Sequence, residues 1–354
     1  MGFTQIKIKN FRSITNLTIE GFKRINLFAG KNNCGKTSVL ESIFILSGGT
    51  NPILPISTNG LRDYKKFRED DFLILFNNLN YNDEIILESI EETGSYRKLS
   101  ITPISSDVIS QKENVSTINK VIKGLLHSFD FKTSLQTKNI NIKTKIEISG
   151  AGNLDIDLED VKKKRYNEKL NCTFLNSSVI LEDLEDRVNK IIIGKQKKEI
   201  IEILNQLDIT ILDIHTDDDV VYFDTGLDRF IPVNVAGDGM KKFLSIITAI
   251  YNTKNGIVLI DEIDNGLHYS AQEILWKAVI TTAEKFKVQI FATTHSWECV
   301  KALAKTAQIC VENNTIQDNE ICYFRVENNE NSHTAFPYRQ EILTLAMQEN
   351  WEVR

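Results

Sequence analysis

A chain of 354 residues with 42% hydrophobic and 25% charged side chains can bury one large core or two modest ones, and that composition excludes global disorder. The formal net charge of −6 excludes a surface that is basic all over. It leaves a local basic groove open, because net charge says nothing about distribution.

The first sixty residues read as three strands, a loop and a helix. Residues 3–9 alternate, 17–19 pair with them as an antiparallel partner, and 25–29 form a buried apolar run. After a glycine-bounded loop, Val39, Leu40, Ile43 and Phe44 mark one buried face of a helix over 36–46, stopped by Gly48 and Gly49. Between about residues 60 and 180 the character changes to short antiparallel strands at 84–90, 97–102 and 140–148, separated by polar loops. A charged helix is expected over 181–207. Alternation then resumes, with strands at 209–214 and 220–223, a helix at 239–251, an apolar strand at 257–260, a helix at 270–285 and a strand at 288–292. A helix at 297–304 and strands at 308–311 and 321–326 complete the reading. Strands alternating with helices predict an α/β fold with a mainly parallel central sheet and N-terminal antiparallel strands. That core is split in sequence, residues 1–60 and 209–354 flanking an inserted mixed strand and helix subdomain at 61–208.

Five scattered cysteines (Cys34, Cys172, Cys299, Cys310 and Cys322) without a C-x-x-C pair favour reduced thiols. No run of about 18 apolar residues marks a membrane span. The first residues lack the apolar core of a signal peptide, and Ile6 stands where a myristoylation motif needs Ser or Thr. The expected compartment is the cytoplasm.

Gly30-Lys31-Asn32-Asn33-Cys34-Gly35-Lys36-Thr37 matches G-x-x-x-x-G-K-[ST] without a mismatch, after an apolar strand and before an amphipathic helix. Gly30 and Gly35 allow the tight turn that points successive N–H groups at phosphate oxygens, and the helix N-terminus adds its positive end. Lys36 is placed to reach the β and γ phosphates and the Thr37 hydroxyl to hold Mg²⁺, so Gly30 to Ser38 are the candidate nucleotide contacts. Ile257-Val258-Leu259-Ile260-Asp261-Glu262 is an apolar strand ending in two carboxylates. Alone it could end in a solvated acidic turn. Beside a phosphate loop, Asp261 becomes a candidate metal ligand and Glu262 the group that polarises the attacking water. Phe291-Ala292-Thr293-Thr294-His295 puts a histidine past the next strand, where it could report a γ-phosphate, although a lone histidine at a strand end is often structural.

The order GKNNCGKT, IVLIDEIDNGLH, ATTHS resembles the ABC-type ATPases of the SMC, RecF and OLD group, and in particular the stand-alone OLD-like AAA ATPases of bacterial antiphage systems. Asn10-Phe11-Arg12-Ser13-Ile14 matches the entry strand of that group, whose Arg meets nucleotide or the opposing subunit. Residues 264–268, beginning with Asp264, match the loop that crosses the dimer seam. Together these matches cover about half the chain. The resemblance implies ATP and Mg²⁺ as cofactors, Lys36, Glu262 and His295 as catalytic residues, and a homodimer or higher oligomer with nucleotide between the heads. It also implies a signature segment supplied by the second subunit. Ala236-Gly237-Asp238-Gly239-Met240-Lys241-Lys242 sits where that signature belongs, with Asp238 where a hydroxyl is common. Leu46-Ser47-Gly48-Gly49 spells most of a transporter signature, but a helix end explains its glycines. The Q-loop of the family has no clear counterpart; residues 68–71 lie in the right region.

About sixty residues follow His295 without a D-x-D cluster, so no Toprim nuclease domain is expected. The resemblance therefore implies a separate effector, a nuclease or toxin, controlled in phage defence. The alternative is a RecF-like or SMC-like DNA-binding ATPase of repair or recombination. Nucleic acid is not indicated by the charge, and the run 162–165 reads best as a solvated face. No membrane partner is expected.

Overall fold

The computed structural model describes residues 2–62, 69–103, 128–135, 140–148, 154–176, 181–329 and 332–340. In chain order, β1 (Phe3–Phe11) and β2 (Ile14–Glu20) form a hairpin that leads through β3 (Ile25–Ala29) into α1 (Lys36–Ser47) and α2 (Leu54–Gly60). Then come β4 (Ile85–Glu91), β5 (Tyr96–Pro103), β6 (Ser128–Leu135), β7 (Ile140–Ile148), β8 (Leu154–Asp157) and the short α3 (Glu159–Lys163). A second run holds β9 (Cys172–Leu175), α4 (Leu184–Ile193), α5 (Lys197–Leu204), β10 (Asp213–Asp217), β11 (Val220–Asp224), β12 (Ile231–Pro232) and α6 (Asp238–Asn252). The chain continues through β13 (Ile257–Ile260), α7 (Tyr269–Phe286), β14 (Gln289–Thr293), α8 (Trp297–Glu312), β15 (Ile321–Asn329) and β16 (Ser332–Arg339).

These strands build two large sheets. One is antiparallel and seven-stranded, in the order β2-β1-β4-β5-β6-β7-β8. The other has six strands in the order β16-β15-β3-β14-β13-β9, all parallel except the edge strand β16. Strands β10 to β12 make a small third sheet. The parallel strands are apolar throughout because both faces are covered. Val258 and Ile260 of β13 face a core shared with α4 to α8, whereas Ile257 and Leu259 face the core shared with α1. The same alternation divides Ile290 and Ala292 from Phe291, and Leu27 from Phe28.

Helix α1 runs between the two large sheets, and this changes the expectation of one buried face. Lys36, Ser38, Glu41, Ser42 and Ser47 are buried along with its apolar residues, so it is enclosed on most sides. A helix in that position need not be amphipathic. Arg97 of β5 grips its last turn, donating to the carbonyls of Leu46 (3.3 Å) and Ser47 (3.2 Å) while paired with Glu168.

The bounds expected for an inserted subdomain, 61–208, fall inside continuous layers. Strand β4 pairs directly with β1, β9 pairs with β13, and α4 and α5 share the core of α6. Three elements differ from the sequence expectation. The helix at 181–207 is two helices, interrupted at Gly194 and at Lys195, whose φ is +57°. The strand expected at 308–311 is the end of α8, because the buried stripe Cys299, Leu303, Ala307, Cys310 keeps helical spacing to that point. The strand expected at 209–214 begins only at Asp213. Among the described residues no helix is long and apolar enough to cross a membrane.

Candidate active site

The phosphate loop leaves the C-terminal end of β3, at the centre of the six-stranded sheet. Gly30 has φ +146°, and a Cβ there would lie 2.3 Å from the Val326 carbonyl, so a side chain has no room. Gly35, at φ +93°, is the N-cap of α1 and supplies no side-chain cap. The first N–H groups of the helix therefore point into the loop without a side-chain acceptor, the arrangement that favours an anion. Lys36 folds back over the loop, donating to the carbonyls of Gly30 and Lys31, both at 2.9 Å, and lying 3.4 Å from His295 Nδ1. Burial pushes its ammonium below the ordinary value, against the pull of Cys34, Asp261 and Glu262.

Strands β13 and β14 deliver the acidic and histidine segments beside this loop. Thr37 Oγ1 donates to Asp261 Oδ2 at 3.0 Å, and Thr293 Oγ1 donates to the other carboxylate oxygen. Thr37 and Asp261 thus present hard oxygen donors to one point, the chemistry Mg²⁺ takes from a protein when phosphates supply further ligands. Among the described residues no three His, Cys, Asp or Glu side chains cluster as a self-sufficient metal cage. Glu262 has φ +50°, and its amide donates to Thr293 Oγ1 at 2.8 Å. Thr294 Oγ1 holds the Asp264 carboxylate at 2.6 Å, and His295 is exposed.

A cleft of about 970 Å³ opens here. It is lined by Asn32, Asn33, Cys34, Gly35, Lys36, Thr37 and Ser38 of the loop region, with Arg12, Ser13, Arg62, Ile74, Glu262 and His295 around the rim. Most of the expected contacts therefore meet in one place. Gly30 and Lys31 start the loop under Lys36, and Asp261 touches Thr37 from the floor.

Besides Gly30, Lys31 and Asp261, which lie beneath it, four expected residues do not line this cleft: Gly237, Asp238, Gly239 and Asp264. Gly237, Asp238 and Gly239 open α6, where Gly237 faces open space and the Asp238 side chain is 81% exposed. This helix start packs on the loop carrying Asp264, so closely that a Cβ added at Gly239 would lie 3.2 Å from the Gly266 carbonyl. Arg12 lines the cleft but is committed inward. Its Nε donates to Glu41 (3.2 Å), Nη1 to the Ile74 carbonyl (3.3 Å) and Nη2 to Thr58 (2.9 Å). As for residues 68–71, Arg68 lies outside the described residues, and only the backbone of the other three, in a 3-10 turn, is among them.

Sequence reasoning missed Glu41 and Arg62. Glu41 is fully buried on α1 and accepts from Arg12 and, at 2.6 and 3.0 Å, from Arg62. A glutamate set between the apolar positions Leu40 and Ile43 was a readable signal, because such a residue is buried only when paired. Arg62 follows α2 without any local pattern that could have marked it.

The fold and the cleft define a P-loop ATPase of the ABC type. The chain belongs to the family described as "AAA domain, putative AbiEii toxin, Type IV TA system", which matches residues 25–299. It is 26% identical over 322 residues to the ATP/GTP phosphatase of Helicobacter pylori, a match covering 84% of this chain and 86% of that protein. Over 84 residues it is 37% identical to the DNA replication and repair protein RecF of Shewanella sediminis, which is 24% of this chain and only 22% of RecF. Among solved structures, the SMC head bound to the C-winged helix domain of ScpA superposes with a TM-score of 0.53 at 9% identity, covering 98% of this chain and 100% of that one. At that identity the likeness is one of fold. The chain is an ATPase of the SMC and RecF type.

Proposed function

We propose that two copies of this chain close on ATP and act as a hydrolysis-timed switch. The observation that carries this reading is the position of Gly237, Asp238 and Gly239, an exposed helix start that does not line the chain's own cleft. Such a start presents N–H groups to an anion, and in a second copy that anion is the γ-phosphate. Within one copy, the loop N–H groups and Lys36 bind the β and γ phosphates, Lys36 exchanging the carbonyls of Gly30 and Lys31 for them. Thr37 and Asp261 hold Mg²⁺, which supplies charge neutralisation of the phosphates when bound. Glu262 orients the attacking water and accepts its proton, and His295 touches the γ-phosphate. Arg12 braces the rim through Glu41.

On this reading the switch controls a separate effector in phage defence, as the resemblance of GKNNCGKT, IVLIDEIDNGLH and ATTHS to the ATPases of such systems implies. The test is the mass of the Glu262→Gln protein in solution. With ATP and magnesium it should double, and Lys36→Ala should abolish both the doubling and hydrolysis. A mass that ATP leaves unchanged would refute the dimeric switch.

A second reading, a DNA-binding ATPase akin to RecF, has its own observation. On the outer face of the seven-stranded sheet, Lys132 stands directly opposite Lys143, with Lys9 in the same cross-strand row through Ile86 and Ser100. Like charges paired across strands are unfavourable without an anion over them. That reading requires ATP-dependent DNA affinity that falls steeply with salt.

A further inference from the structure

Lys242 is 4% exposed, although it lies only four residues into α6. Its ammonium donates to the backbone carbonyl of Glu262 and sits in the field of Asp264, Glu262 and Asp261. Burial pushes the group below its ordinary pKa, and those carboxylates work against the shift. A lysine this buried needs a compensating partner.

The partner it has chosen is informative. Glu262 is held at φ +50°, a region that non-glycine residues enter rarely and keep only where the surroundings enforce it. Enforcement comes from both ends of the residue. The amide donates to Thr293 Oγ1 at 2.8 Å, and the carbonyl accepts from the Asn265 amide at 3.0 Å and from Lys242. Thr293 belongs to β14 and Asn265 to the same turn, so Lys242 supplies the hold from α6. The ammonium also offsets repulsion among three carboxylates within four consecutive residues, Asp261 to Asp264.

We infer that Lys242 is a positioning residue that fixes the Glu262 turn and couples it to the exposed start of α6. The helix that would grip the other copy's nucleotide is thereby tied to the residue that handles water at its own. This rests on the reading of Glu262 given above, and the experiment separates the two. Lys242→Met keeps the apolar stem and removes the charge and the donor. It should lower kcat roughly tenfold or more while ATP affinity stays within about twofold, because the interaction serves the reacting geometry and the phosphate loop is untouched. In the Glu262→Gln background the same substitution should change the residual rate by less than about twofold, since residues acting as a unit are not additive. In the nucleotide-free protein, exchange of the Asn265 amide should accelerate. Should the Met variant not fold, Lys242→Gln, too short to reach the carbonyl, carries the same measurements. A wild-type kcat in the folded variant, or an equal loss of rate in both backgrounds, overturns the inference. Glu262→Gln hydrolysing ATP at the wild-type rate would instead remove the reading beneath it.

Discussion

Glu41→Ala tests how the rim of the cleft is held. The Glu41 side chain is 1% exposed, Arg12 is 6% exposed and Arg62 is 43% exposed. Removing the carboxylate affects the two arginines differently. Arg62 can turn to water, whereas Arg12 keeps its bonds to Thr58 and the Ile74 carbonyl but loses its counter-charge inside the protein. Burial already pushes the Arg12 guanidinium below its ordinary value, and Glu41 is the group that opposes this. Leaving one partner of a buried pair uncompensated costs roughly 3–5 kcal/mol. With an unfolding entropy of about 2.1 cal/mol/K per residue over 354 residues, each kcal/mol is worth about 1.3 °C, so Tm should fall by roughly 4–7 °C. Thermal unfolding followed by circular dichroism, without nucleotide, measures the drop. The double variant Arg12→Met with Glu41→Met should recover much of it, because apolar residues of similar volume carry no buried charge. A Glu41→Ala protein within about 1 kcal/mol of wild type would refute the claim that this pair braces the rim.

Three further outcomes are expected. Gly30→Ala should cost about 1–3 kcal/mol and weaken nucleotide binding, since its Cβ would meet the Val326 carbonyl at 2.3 Å; calorimetry and a fluorescent nucleotide titration check both. Gly239→Ala would place a Cβ 3.1 Å from Leu267 and 3.2 Å from the Gly266 carbonyl, so hydrolysis should fall more than stability does when the two are assayed side by side. His333, packed behind Gly35 with neither ring nitrogen hydrogen-bonded among the described residues, is held below its ordinary pKa by burial. The folded protein therefore binds fewer protons than the unfolded chain. Its stability is present above the unfolded value of about 6.5 and is lost as the pH falls from there through the depressed folded value. His333→Leu should flatten the decline of Tm on the acid side of pH 6.5.

Much of the site was legible because its chemistry is local. The phosphate loop, the strand ending at Asp261 and the one ending before His295 each announce themselves within ten residues, and the sheet order brings their C-terminal ends together. What escaped depends on distance in sequence. Strand β9, only four residues long, joins the parallel sheet through β13 and carries no pattern that separates it from the polar stretch around it. Strand β16 brings His333 against a loop almost three hundred residues earlier. The inward commitment of Arg12 follows from Glu41, Thr58 and Ile74, residues on three different segments. Local pattern cannot reveal such meetings.

Direct titration of MgATP into the purified protein, by calorimetry, tests the central claim that the loop from Gly30 to Thr37 cradles a triphosphate beside Asp261 and Glu262. Saturable binding to the wild-type chain, lost or severely weakened in Lys36→Ala while the fold persists, is the expected result. Equal affinity in the two proteins, or none in either, would contradict it.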